Sequence, residues 1–258
     1  MKQHILVTGG QGSLGQRLVP QLVSTGHSVR ISSRRPRPAR FDDQIEWAQA
    51  ALESPDGWVD AVQGVDTIVH LASAAFSRGV DVAGTQRLLA AATQAGVQHI
   101  VYISIVGVDK RDWFYYQAKH ECEQLIVESG LPYTILRATQ FHEFAHLLLR
   151  DMFLRYPLGF LPKGWQIQPI DGGEVAAMLF DAVQQGPAGR LPDAGGPEIF
   201  SFQELAQIWM AANGRRRIVT VPFPFLMGRA FGSGHNLAPD NGCGQITWRE
   251  WVAKQTAT

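Results

Sequence analysis

Thr8-Gly9-Gly10-Gln11-Gly12-Ser13-Leu14-Gly15 is the stretch on which the fold turns. The run before it, His4-Ile5-Leu6-Val7-Thr8, is short and apolar, and Gln16 to Thr25 after it sets Leu18, Val19, Leu22 and Val23 at helical spacing. The eight residues therefore join a strand to a helix, and they contain Gly10-x-Gly12-x-x-Gly15 as well as Gly9-x-x-Gly12-x-x-Gly15. Glycine there lets the backbone approach a pyrophosphate, whose charge meets the N–H groups and positive dipole end of the helix. Gly15 also lets the helix pack close to the sheet. Thr8 to Gly15 are thus expected to bind a dinucleotide, the alternative being a tight strand-to-helix turn with no ligand.

Outward from this loop, short runs at Ser28 to Ser32, Ile45 to Ala48, Thr67 to Leu71, His99 to Ser104 and Tyr133 to Arg137 read as strands. Helical stretches at Val82 to Ala95 and Tyr115 to Ser129 separate them. Strands alternating with helices predict right-handed crossovers and a doubly wound parallel α/β sheet, covered by helices on both faces. After residue 150 prolines from Pro157 to Pro222 break the chain into short pieces, with helices expected at Gly173 to Gln184 and Ser201 to Ala212. Ser201 and Glu204 stand at capping-box spacing. The expected organisation is a nucleotide-binding domain over 1–150, onto which a later helix near 171–185 packs back, and a small irregular substrate lobe over 151–258.

At 258 residues, 45% hydrophobic and with 23 Lys+Arg against 23 Asp+Glu, the chain can bury a full core and carries no net charge. That balance argues against nucleic acid or a membrane surface as partner and for a small molecule, taken up by a monomer or homodimer. Cys122 and Cys243 form no C-x-x-C pair, and no apolar run is long enough to span a bilayer. A cytoplasmic protein is expected.

The second strand runs Val29-Arg30-Ile31-Ser32-Ser33-Arg34-Arg35, with no acid before Asp42 to bind both ribose hydroxyls of NAD. Arg34, with Ser33 or Arg35, is placed to meet a 2′-phosphate, so NADP(H) is expected in preference to NAD(H), which stays possible. The alternative is a solvated basic loop. Further on, Tyr115 and Lys119 are four apart on one helical face. A phenol is a weak acid, and a neighbouring ammonium is expected to bring it toward working range, while Ser104 at a strand end polarises a substrate carbonyl.

These residues resemble the short-chain dehydrogenase/reductase superfamily, in its atypical NmrA-like, NAD(P)H-binding branch. The resemblance rests on Thr8 to Gly15, His70-Leu71-Ala72-Ser73, Tyr102 to Val108, Tyr115-Tyr116-Gln117-Ala118-Lys119 and Leu131 to Phe141. It implies a Rossmann-like domain with a small C-terminal substrate lobe. It also implies cofactor contacts from Leu71, Ala72, Ser73, Ala138 and Thr139, Lys119 on the ribose, and Gln140, Phe141 and His142 at the substrate pocket. Two departures stand out. Ala50-Ala51-Leu52 replaces the branch's usual Gly-Asp-Leu, removing an adenine contact, and Arg137-Ala138 replaces Arg-Pro, which is expected to loosen the backbone there. The implied activity is NAD(P)H-dependent oxidoreduction of a carbonyl, quinone or enone. A non-catalytic NADP(H) sensor, or a nucleotide-sugar epimerase or dehydratase, are the other readings the branch and its superfamily allow.

His142-Glu143-Phe144-Ala145-His146 matches H-E-x-x-H, a zinc motif when two histidines one turn apart meet a third ligand. Asp171 or Glu174 would have to supply that ligand, and no metal is expected. Phe144 to Leu161 reads as core packing, an amphipathic lid, a dimer face or a membrane-surface helix, with the mixed charge of Arg150, Asp151 and Arg155 against a lipid anchor, and Gly232 to Asn236 as a surface loop or one that approaches the substrate.

Overall fold

The computed structural model describes residues 2–38, 42–74, 77, 79–110, 113–214, 216–223 and 227–256. The chain runs β1 (His4–Thr8), α1 (Gly15–Ser24), β2 (Ser28–Ser33), β3 (Ile45–Gln49), α2 (Trp58–Val62), β4 (Thr67–His70), α3 (Val80–Ala95), β5 (His99–Ile105), α4 (Phe114–Glu128) and β6 (Tyr133–Ala138). It continues through α5 (His142–Leu147), β7 (Leu158–Pro162), β8 (Gln166–Ile167), α6 (Gly172–Gln185), β9 (Gly189–Arg190), β10 (Phe200–Ser201), α7 (Phe202–Asn213), β11 (Arg217–Val221), α8 (Met227–Ser233) and α9 (Trp248–Thr256).

Seven strands form one sheet in the order β3-β2-β1-β4-β5-β6-β9. The registers of β1 with β2 and β4, of β2 with β3, of β4 with β5 and of β6 with β9 are all parallel. This is the Rossmann-like doubly wound α/β fold. Strands β2 and β3 carry the exposed Ser28, Glu46 and Gln49, whereas the central strands β1, β4 and β5 are buried, with Ile5, Leu6, Val7, Ile68 and Ile100 fully so. Each such side chain contributes about 1.5–3 kcal/mol by leaving water. The chain winds outward from β1 to β3, then returns to the other side of β1 with β4, so the direction reverses between β1 and β4. In such sheets the crevice beyond the carboxyl ends of the strands at that reversal is where a ligand fits.

The chain separates into two compact units, one of Met1–Ser104, Phe114–Leu136 and Ala176–Leu191, the other of Ile105–Trp113, Arg137–Val175 and Pro192–Thr258. The first holds nearly all of the seven-stranded sheet and the Ala176 to Gln185 part of α6. The second has two small sheets, β8 antiparallel with β10 and β7 parallel with β11. Its core is aromatic: Trp165 lies 5.3 to 6.3 Å, centroid to centroid, from Phe231, Phe202, Phe223 and Phe153.

The segment from Phe144 to Leu161 is not one amphipathic element. α5 passes into a π-helical turn, Leu148–Phe153, and then β7. Leu148, Leu149, Phe153 and Leu161 are buried, whereas Leu147, Met152, Leu158 and Phe160 are exposed. The Gly232 to Asn236 segment begins inside α8, and Asn236 is fully buried, donating to Gln140 Oε1 and Gln166 O. The expected capping box is present: the Ser201 side chain accepts from the Glu204 N–H while the Glu204 carboxylate accepts from the Ser201 N–H. Among the described residues no helix is long and apolar enough to cross a membrane.

Candidate functional site

An open cleft of about 660 Å³ lies along the carboxyl ends of the first four strands. Gly9, Gln11 and Gly12 line it after β1, Ser32 to Arg35 at the end of β2, Ala50 to Glu53 after β3, and Leu71 to Ala74 with Ser77 after β4. The glycines shape it in different ways. Gly9 has φ +68° and an added Cβ would sit 2.8 Å from the Ala72 nitrogen, so only glycine lets the two turns touch. At Gly15 a Cβ would fall 2.4 Å from the Gly10 Cα, which brings α1 hard against the loop. Helix α1 begins without a side-chain cap and without an acidic residue in its first turn, so its positive end is left for an anion. These observations fit the pyrophosphate of a dinucleotide.

Thr8, Gly10, Leu14 and Gly15 lie buried behind this surface, and Ser13 is exposed at the helix start. Thr8 acts through the floor of the cleft. Its hydroxyl accepts from the N–H groups of Leu71 and Ala72, both at 3.1 Å, which leaves its own proton to donate to His70 Nδ1 at 2.7 Å. His70 Nε2 then donates to Thr85 Oγ1 at 3.0 Å, and Thr85 donates to Cys122 Sγ at 3.4 Å. That chain needs a neutral imidazole. Burial, with the Lys119 charge added, holds the His70 pKa down at about 3.

At the basic end, Arg34 is 68% exposed and its guanidinium stands 3.6 Å from the Glu53 carboxylate. The Ser33 hydroxyl accepts from the Arg35 N–H, and the Arg35 carbonyl accepts from Trp47 Nε1.

At the other end, Ser73 makes a hydrogen bond of 3.1 Å to the Tyr115 hydroxyl. Lys119 is buried, donates to the carbonyl of Ile103 at 2.8 Å and lies over the Tyr102 ring at 4.3 Å. It thereby fastens α4 to the strand end that carries Ser104. The Ser104 hydroxyl is buried with no hydrogen-bond partner among the described residues. Such an orphan costs about 1–3 kcal/mol, and a polar group arriving at β5 relieves it.

The Tyr115 phenol is pushed up to about 12, by burial first and by Asp81 and Cys122 after it. In the protein alone this is opposite to the direction expected from its pairing with Lys119, whose ammonium is turned to a carbonyl and a ring. Burial likewise pulls Lys119 below the usual lysine range.

Ala138, Thr139, Gln140, Phe141 and His142 belong to the second unit. The backbone at Arg137-Ala138 is held rather than loosened, because the Arg137 carbonyl accepts from the Ala194 N–H and the Ala138 carbonyl from the Val106 N–H. Thr139 Oγ1 accepts from the Gly196 N–H, and Gln140 is joined to Asn236. Phe141 is half-buried and forms an isolated parallel bridge with Ile170.

His142 is fully enclosed between Trp248 and Trp251, and its Nε2 is bonded to the Ile246 carbonyl. It therefore presents no surface to a ligand in this structure. His146 Nδ1 accepts from Trp209 Nε1, Glu174 receives the N–H groups of Gln245 and Ile246, and Asp171 caps α6. Among the described residues no group of three His, Cys, Asp or Glu is placed to hold a metal.

The fold and the glycine-lined cleft define a dinucleotide-binding protein of the Rossmann-like class. A family model described as NAD(P)H-binding matches residues 9–146, more than half of the chain. The chain belongs to this NAD(P)H-binding family, in keeping with the motifs that resemble the atypical NmrA-like branch.

Among curated relatives, a 3 beta-hydroxysteroid dehydrogenase/Delta 5-->4-isomerase of Mycobacterium tuberculosis is 38% identical over 115 residues, 39% of this chain and 31% of that protein. The chain thus spans under a third of its length. A (4-alkanoyl-5-oxo-2,5-dihydrofuran-3-yl)methyl phosphate reductase of Streptomyces griseus is 29% identical over 208 residues, 78% of this chain and 70% of that one. Among solved structures, an NADPH-dependent quinone oxidoreductase from Escherichia coli, complexed with NADPH, superposes with a TM-score of 0.83 at 19% identity, covering 97% of this chain and 99% of that one. That likeness shows the shared fold.

Two features escaped sequence reasoning. The Ser73 to Tyr115 bond joins residues 42 apart, and Asp81 is drawn into it from α3. Neither has a spacing signal, since the contact exists only once α3 and α4 pack.

Proposed function

We propose that the protein is an NADP(H)-preferring oxidoreductase that reduces a small carbonyl, quinone or enone compound. The observation that carries this reading is that Ser73, part of the cleft wall, is bonded to the Tyr115 phenol, so the groove that suits a dinucleotide ends beside an acid. The bound nicotinamide supplies the hydride. Gly9, Gln11 and Gly12 and the start of α1 would hold the pyrophosphate, and Arg34 would meet the 2′-phosphate. Ser104, with no partner among the described residues, donates to the substrate oxygen, and Tyr115 gives that oxygen its proton. A phenol held near 12 remains protonated across the neutral range, which suits an acid in reduction more than a base in oxidation. Lys119 holds the phenol's helix against β5 through the Ile103 carbonyl. The substrate named for the Streptomyces griseus relative and the quinone named for the Escherichia coli neighbour support a conjugated carbonyl as the substrate class.

The test follows NADPH oxidation with quinones, aldehydes and enones, comparing the native chain with Tyr115→Phe at saturating cofactor. The expected loss of turnover is roughly 10²- to 10⁴-fold, the range for removing a general acid. Full turnover in Tyr115→Phe overturns the mechanism. Tight NADPH binding with no turnover on any substrate replaces it with the sensor reading.

A further inference from the structure

Asp81 stands in the first turn of α3, only 4% exposed, and none of the steps above uses it. Its Oδ1 accepts from the Ala74 N–H at 2.5 Å and its Oδ2 accepts from the Ser73 hydroxyl at 2.6 Å. A serine has a single proton to give. With that proton on Asp81, the 3.1 Å contact between Ser73 and Tyr115 requires the phenol to be the donor. The hydrogen bonds therefore run one way, from Tyr115 to Ser73 to Asp81.

We propose that Asp81, acting through Ser73, is a positioning residue that keeps the Tyr115 phenol protonated and held until the substrate oxygen takes the place of Ser73 as acceptor of its O–H. This rests on Tyr115 being the acid, as argued above, and extends it to the residues that hold its proton.

The physical basis is competition for one proton. A Tyr115 phenolate gains a hydrogen bond from Ser73 only if Ser73 turns its proton away from Asp81, leaving two negative oxygens around one hydroxyl at the cleft wall. Among the described residues, other titratable groups near the phenol are Cys122, Lys119 one turn along its own helix, Glu121 at the shared cavity, and Tyr102 on β5. Of these, Cys122 acts in the same sense as Asp81, and Lys119 is bonded to the Ile103 carbonyl.

In the reductive step the substrate carbon takes a hydride from NAD(P)H, its oxygen takes the Tyr115 proton, and the Tyr115 O–H bond breaks. The phenolate left behind recovers a proton from water. A second cavity of about 400 Å³, lined by both Asp81 and Tyr115, gives water that access.

Asp81→Asn tests the proposal, because an amide has only one accepting atom. When Asn Oδ1 keeps the Ala74 N–H, its Nδ2 donates to Ser73, and the Ser73 proton turns to the Tyr115 oxygen and favours the phenolate. The readout is the titration of Tyr115 in ¹³C-tyrosine-labelled protein, assigned by loss of the signal in Tyr115→Phe. Roughly a tenfold or greater rise in the Tyr115 acid dissociation constant is expected, with the alkaline limb of reductase activity moving down in pH by the same amount. An unmoved Tyr115 titration in folded Asp81→Asn overturns the proposal.

Ser73→Ala carries the test by sign if Asp81→Asn fails to fold. Loss of an acceptor lowers the Tyr115 midpoint, as the proposal requires, whereas loss of a donor raises it and overturns the proposal. The titration needs neither cofactor nor substrate. Failure of this inference is therefore separate from failure of the reductase reading, which the NADPH assay decides.

Discussion

The unit that holds the sheet and the unit that holds the aromatic cluster bury their histidines by opposite means. In the sheet unit, His70 is held by the hydroxyls of Thr8 and Thr85, and His99 by Thr134 Oγ1 at 2.9 Å. In the other unit, His142 and His146 are packed among the rings of Trp209, Trp248 and Trp251. Within the sheet unit small hydroxyls pair the ring nitrogens, and the Tyr102 ring stacks on the face of His70 at 5.3 Å. The second unit lacks a large sheet, and its core is assembled from wide, flat side chains that meet edge to face or stacked.

This difference predicts where each unit breaks. The largest effect is expected from Trp165→Ala, since Trp165 touches four other rings and is 4% exposed. A loss of about 3–5 kcal/mol in urea denaturation is expected from the cavity it leaves. A cost below about 1 kcal/mol would mean that the cluster is not the core of its unit.

Acid exposes the sheet unit instead. Burial lowers His70 from 6.5 to about 3 and His99 from 6.5 to about 4. Between those values and 6.5 the unfolded chain binds protons that the folded chain refuses, so stability rises with pH there and is lost as pH falls. Above 6.5 both states are neutral and the contribution is complete. Each histidine adds a slope of up to about 1.4 kcal/mol per pH unit. Denaturation midpoints measured from pH 7 down to pH 4 are expected to fall steadily, and His99→Gln is expected to flatten the fall. An unchanged slope in His99→Gln would assign the acid lability to other groups.

A smaller effect is expected at the cleft, where Arg34→Ala lowers NADPH affinity by about tenfold relative to NADH, through loss of a charge-assisted bond to phosphate. Equal ratios in native and variant protein, measured by nucleotide fluorescence, would remove Arg34 from cofactor selection. The smallest is Ser201→Ala, which takes the cap from α7 and is expected to cost about 1 kcal/mol in thermal or urea unfolding.

The sheet unit was nearly transparent to sequence reasoning, while the second unit was not. Strand and helix patterns from His4 to Arg137 rise from local periodicity, and the glycine run states its turn in its own composition. The reading therefore places β1 through β6 and the helices α1, α3 and α4 within a few residues, and leaves out the five-residue α2. In the second unit the pairing of Leu158–Pro162 with Arg217–Val221, and the contacts of Trp165 with Phe202, Phe223 and Phe231, join positions far apart. No local period announces them. The H-E-x-x-H run shows the same limit, since its histidines meet a carbonyl and indole rings that lie a hundred and more, or about sixty, residues away.

By itself the sequence determined that the chain builds a doubly wound parallel sheet, that a glycine loop ends its first strand, and that Ser104, Tyr115 and Lys119 stand on the fifth strand and the helix after it. Those properties depend on backbone freedom and on residue spacing along single elements. Tertiary structure decided that Thr8 works from behind the cleft, that Lys119 turns to the Ile103 carbonyl, that the Tyr115 phenol is raised, and that Asp81 reaches it through Ser73. Hydrogen-bond direction and burial belong to pairs of elements. They come into being only when α3 and α4 close against the sheet.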